Sequence, residues 1–260
     1  MSFTGKSPSD TYKDILNIDN SNSGVDSTAR AVKTAEGSSS ALSLSDRSLI
    51  VKSNTNNATA LQVNNASDTA KFQVDTTNNI VKALGSFVNT QYHKFQLAHI
   101  VGTGATAGLH TLLTSGGGIT DSALLLGTPN NMGTGTDPAT SLTLSNNAFG
   151  QMRYFWYIHD NISIDAVHSL EAADAATGDT TRFHLFEYDY TDGSSNVLTN
   201  GTLVAHSADQ VNAGYEQMYY NTWTIDSASI SSGKVILCTM EADTVNSDYL
   251  ADVTVKYHLT

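Results

Sequence analysis

A single cysteine, Cys238, leaves this chain without an intramolecular disulfide. It sits in the apolar run 234–241, where a buried thiol is expected rather than a nucleophile. Charge is scarce: 15% of residues are charged, against roughly 25% in ordinary soluble domains. Gly, Ser, Thr and Asn take up the difference, which favours short strands and turns over long helices. The first residues, MSFTGKSPSD, lack the apolar centre of a signal peptide, and no run reaches transmembrane length. A cytosolic site of synthesis without membrane insertion is the expectation.

Catalytic signatures are missing too. There is no His-Glu-x-x-His, no phosphate loop, no Gly-x-Ser-x-Gly elbow and no cysteine pair. The glycines at 102, 104 and 108 have the wrong spacing for a dinucleotide fingerprint and read as loop. His93 and His99 share a strand face, but six residues of strand separate them by about 20 Å, too far to chelate one ion. The run from Glu241 to Asp248 clusters oxygen ligands of the kind calcium takes, and a solvated loop is the favoured reading. No catalytic residue, metal site or cofactor is therefore expected, and the chain is read as a non-enzyme.

What is present divides in two. Through Gly85 basic and acidic residues balance, so the remainder carries the entire net charge of -12, together with all eight His and both Trp. An acidic second part repels nucleic acid and anionic membrane. The division predicts three segments: 1–37, 38–85 and 86–260.

The middle segment is a loose repeat. Apolar doublets at Leu42/Leu44, Leu49/Val51, Leu61/Val63 and Phe72/Val74 alternate with Asn, Ser, Thr and Asp runs. Each doublet has the period of a short strand and each polar run has turn chemistry. No unit of this kind covers its own apolar edge, so stacking on neighbours or on other chains is expected. The first segment holds apolar side chains at Phe3, Tyr12, Ile15, Leu16, Ile18 and Val25. They are too few to close a core, so this arm needs a partner surface to become ordered.

The run TYKDILNIDNSNSGVD (11–26) resembles an N-terminal segment of fibre and decoration proteins of tailed, particularly marine, bacteriophages. So do TAEGSSSALSL (34–44), ALQV (60–63) and KFQVDTTN (71–78). The resemblance covers about the first third of the chain. It implies a homotrimer assembled onto the virion in the host cytoplasm. Residues 1–37 would be the arm docked on capsid or tail proteins, 38–85 a β-repeat trimeric stalk, and 86–260 an outward-facing head.

Residues 86–260 read as all-β. Strand patterns occur at 92–100, 109–114, 123–126, 142–144, 152–158, 162–170, 182–190, 197–206, 215–225, 234–241 and 252–259. In the last, Val253, Val255, Tyr257 and Leu259 alternate with polar residues. Tyr215, Tyr219, Trp223 and Ile225 make a similar face. Asp192-Gly193 and Asn200-Gly201 are turn signals. About ten strands with long connections predict an antiparallel two-sheet jelly roll, and their order resembles the tumour-necrosis-factor-like heads of phage fibres. The consecutive rings Tyr154, Phe155, Trp156 and Tyr157 put aromatics on both strand faces. Tyr154, Trp156, Tyr219, Tyr220 and Trp223 are thus candidates for a trimer contact or a glycan contact.

The leading expectation is a homotrimeric virion fibre or capsid decoration. One alternative is a tail fibre whose head binds host-surface glycan. Another is a bacterial carbohydrate-binding or adhesive module, and a polysaccharide-degrading spike ranks last for want of an identifiable carboxylate pair.

Overall fold

The polar runs of the first segment close turns, and the apolar doublets between them extend into strands. These are β1 (Leu16–Ile18), β2 (Arg30–Thr34), β3 (Ser39–Leu44), β4 (Leu49–Val51), β5 (Leu61–Asn64), β6 (Ala70–Asp75), β7 (Ile80–Ala83) and β8 (Ser86–Phe87). Asn65 Oδ1 accepts the amides of Ser67 and Thr69, and Asp75 Oδ1 those of Thr77 and Asn78. These side chains do the work of a backbone turn. The strands form two antiparallel meanders, β1-β2-β3-β4 and β5-β6-β7-β8. The computed structural model describes residues 16–21, 23–97, 110–116, 138–144, 152–174, 176–195, 198–242 and 248–260.

The chain divides into compact units between Val88 and Asn89. Leu84 and Gly85, with φ of 51° and 81°, form the two-residue turn joining β7 to β8. Residue 37, where an arm was expected to end, lies in the turn between β2 and β3, so the first meander runs across that position.

The second unit holds β9 (Thr90–Leu97), β10 (His110–Leu112), β11 (Thr114–Ser115), β12 (Ser141–Leu142), β13 (Trp156–Tyr157), β14 (Ile162–Asp174), β15 (Thr180–Asp189), β16 (Gly201–His206), β17 (Gln210–Val211), β18 (Gln217–Thr222), β19 (Thr224–Ile225), β20 (Ser229–Ile230), β21 (Lys234–Ala242) and β22 (Asp248–Leu259). Its pairs are nested along the chain: β9 with β22, β10 with β21, β14 with β18, β15 with β16. A long ribbon of paired strands is folded over and dealt alternately to two sheets. One reads β10-β21-β15-β16-β12 and the other β11-β9-β22-β14-β18. The result is an all-β antiparallel sandwich with the strand order of a jelly roll.

The inner faces make one core. Phe95, Leu97, Val167, Val253 and Val255 from one sheet meet Phe183, Leu185 and Met240 from the other. In β22 the expected inward face holds at Val253 and Val255, Tyr257 packs half-buried against the core, and Leu259 ends exposed. Two stretches read as single strands are broken. Residues 215–225 divide at Trp223, because β18 pairs with β14 in one sheet and β19 with β16 in the other. Residues 152–158 contain one helical turn, and only β13 joins a sheet, on β21. Gly201 opens β16, and a Cβ there would fall on the ring of buried Tyr188. Its place is therefore set by that ring as well as by the turn at Asn200.

Candidate functional site

In the first unit the doublets are brought together. Leu42 pairs with Val51 and Leu44 with Leu49, while Leu61 pairs with Val74 and Val63 with Phe72. Directly paired residues project from the same face. Leu49 is 61% exposed and Val63 55%, with Leu42 and Leu61 also exposed. Val32 is the one buried hydrophobic residue among those described before Asn89. Covering one such side chain is worth roughly 1.5–3 kcal/mol, so the four exposed ones amount to a substantial unsatisfied surface.

Of the arm residues, Leu16 and Ile18 lie in β1, where Leu16 pairs with Thr34 and Ile18 with Val32. Leu16 and Val25 are exposed. Phe3, Tyr12 and Ile15 lie outside the described residues, as do His99, the glycines at 102–108 and residues 243–247 of the acidic loop.

The head presents a second apolar surface, on the outer face of β9-β22-β14-β18. Met218 is 74% exposed and Tyr220 63%, with Leu170, Leu250 and Tyr92 also open. Leu170, Ala172, Met218 and Leu250 line a groove of about 260 Å³, edged by Gln96 and Asp252. Lys94 Nζ donates to Asp252 Oδ2 at 2.9 Å, fixing a polar rim. Tyr220 stacks on His168, and its hydroxyl lies 2.9 Å from that ring's Nδ1.

The candidate aromatics behave differently from one another. Tyr154 and Trp223 are buried in their own chain, which corrects the expectation that they meet a partner or a sugar. Trp223 fills the corner where the chain changes sheets, and its Nε1–H donates to Ser169 Oγ at 2.9 Å. Trp156 is covered within the head, stacked on His93 at 4.2 Å and 3° and tilted against Tyr257. Tyr219 turns inward, its hydroxyl donating to Asn212 Oδ1. Tyr220 alone of the five stands as an open ring.

Leu170 escapes a sequence reading because β14 carries a bulge between Ile164 and Ala166. Strict alternation from Ile162 and Ile164 sends Leu170 inward; one extra residue sends it out and brings Glu171 in. Glu171 is then buried and accepts hydrogen bonds from Ser169, Asn221 and Thr181. Burial pushes its pKa up, and those bonds pull against the shift.

On the other sheet, three polar side chains from adjacent strands meet. His110 on β10 faces Glu241 on β21 in register, and His184 on β15 faces Thr239, two residues before Glu241. One ligand atom from each of His110, His184 and Glu241 lies within 4.8 Å of the others. Burial holds His110 down to about 4 and His184 down to about 2, and burial raises Glu241. The expectation of no metal cluster was argued from spacing along single strands. This cluster is assembled across three, and no spacing signal announces it.

No protein-family profile matches the chain, and no curated protein does. Among solved structures, an aminopeptidase from a marine-sediment Thaumarchaeota archaeon aligns at TM-score 0.32 and 6% identity over 72% of this chain. The alignment spans 40% of the aminopeptidase. The Eiger TNF of S. frugiperda aligns at TM-score 0.26 and 7% identity, covering 64% of this chain and 92% of its own. Both likenesses are faint.

Proposed function

We propose that the protein is a non-enzymatic virion component of a tailed bacteriophage, a homotrimeric fibre or capsid decoration. The observation that carries the self-association is the pair of uncovered apolar surfaces, one on each unit. The doublets of the first unit line one face of thin meanders, and among the described residues of that unit Val32 alone of the hydrophobic side chains is buried. On the head, Met218, Leu170, Leu250, Tyr220 and Tyr92 open on a sheet whose opposite face is already a complete core. Exposed clusters of this kind mark interaction surfaces. The phage assignment rests on the resemblance of the first third of the chain. In this reading Leu16, Ile18 and Val25, with Phe3, Tyr12 and Ile15, dock on capsid or tail proteins.

Light scattering on the purified chain tests the assembly. A mass about three times 27.7 kDa is expected, and a stable monomer at micromolar concentration overturns it. Particles assembled with a chain lacking residues 1–30 should carry none of the protein. Tyr220 favours the alternative of a receptor-binding tail fibre. An open ring beside His168 is a platform on which a sugar could stack. Loss of host-glycan binding in Tyr220→Ala, with the trimer intact, would move that reading first.

A further inference from the structure

We propose that His110, His184 and Glu241 bind one divalent transition-metal ion, with zinc the best match to two imidazoles and a carboxylate. The site is independent of the assembly surfaces. It lies on the face of β10-β21-β15 opposite the core residues Phe183 and Leu185. His110 and His184 are fully buried, and Glu241 keeps a 17% exposed side chain that opens the site to solvent.

The polar bookkeeping points to an occupant. Among the described residues, His110 Nε2 and His184 Nδ1 are buried without a hydrogen-bond partner. His110 Nε2 stands 3.7 Å from Glu241 Oε2, too long for a hydrogen bond. Buried polar atoms are seldom left unpaired, because each forfeits its solvation. A metal ion between these groups would take up the unpaired His110 Nε2.

The surrounding contacts suit a ligand role. His110 Nδ1 lies 2.9 Å from Thr239 Oγ1. With Nδ1–H donating to that hydroxyl, the Nε2 lone pair is free to coordinate, the orienting contact metal-bound histidines use. Arg182, opposite Glu241 in register, directs its charge to Asp209 at 3.0 Å. Cys238 opposes Leu185 and so sits on the core side, away from the cluster. Three protein ligands leave one tetrahedral position for a solvent molecule.

One contact must break. The Ala139 amide donates to His184 Nε2 at 3.2 Å, so the neutral ring carries its proton on Nδ1. If the ion takes Nε2, it displaces that amide. If it takes Nδ1, that proton passes through solvent to Nε2, which can then no longer accept from Ala139. Either route releases the Ala139 amide and leaves the ring neutral.

The full chain, stripped with chelator and dialysed, is titrated with Zn²⁺ against a chromophoric competitor. One ion per chain is expected. His110→Ala and His184→Ala should each weaken binding at least 100-fold and Glu241→Gln at least 10-fold. His159→Ala and His206→Ala should bind as the parent does. Near-ultraviolet circular dichroism identifies any variant that has lost its fold, and Thr239→Val supplies a milder test at roughly 10-fold. Cobalt(II) in place of zinc should give the visible bands of a four-coordinate ion, and exchange of the Ala139 amide should quicken on binding. Absence of a bound ion overturns the site. So does binding unchanged in all three ligand variants, or a crystal grown with excess zinc that shows only a water between these groups.

Discussion

The two units use the same material to different ends. Both are antiparallel strands with apolar residues at alternate positions. In the first unit those residues line one face of single-layer meanders, and Val32 is the one described hydrophobic side chain that becomes buried. In the second, two sheets lie face to face, and residues of the same kind become a closed core. The difference teaches that alternation makes a strand, and only a second layer makes a core. A unit with one layer must borrow the other.

The sharpest way to break that contrast is to separate the units. Residues 89–260 alone should unfold in one cooperative transition followed by circular dichroism. Residues 1–88 alone, dilute and monomeric, should show none. A cooperative melt of the short fragment as a monomer would mean that its meanders cover their own apolar face.

Point substitutions extend the contrast. Leu185→Ala removes a fully buried side chain between the sheets and should cost about 2–5 kcal/mol by urea denaturation. Val63→Ala, on the open face, should cost under about 1 kcal/mol in the monomer. A larger loss there would show the doublet already buried, in solution, against another copy.

Acid should separate the units. His93 is half-buried and held down to about 4 by desolvation. Its folded value lies below its unfolded value near 6.5, so the unfolded chain binds the proton first. The stability this group contributes is complete above about pH 6.5 and is lost as pH falls toward 4. Glu171 acts oppositely, because burial raises it. Its contribution is present below its unfolded value of 4.5 and is lost as pH rises through its folded value. The urea midpoint of the head should therefore fall between pH 6.5 and 4, and His93→Phe should flatten the fall. The first unit contains no histidine and should not share it.

A further effect is expected at the sheet corner. Trp223→Phe keeps a ring but leaves Ser169 Oγ without its indole donor, for about 1–3 kcal/mol. No change in midpoint would mean that the Trp223–Ser169 bond adds nothing to the head.

Local chemistry by itself determined a good deal. The doublets named β3, β4, β5 and β6, because a two-residue period and Asx-type turns are decided within a few residues. The all-β class and the inward face at Val253 and Val255 follow from the same rule. Tertiary structure decided which aromatics a partner can reach. Trp223 looked like a surface ring until the chain changed sheets at that residue and buried it. One bulge near Asp165 reversed the parity of β14, turning Leu170 to solvent and Glu171 to the core. The His110–His184–Glu241 cluster was invisible in one dimension, because strand pairing joins residues 110, 184 and 241 with no period between them. Alternation is a property of neighbours along the chain. Register, bulges and sheet crossing belong to the pairing of distant strands, and they set what each side chain meets.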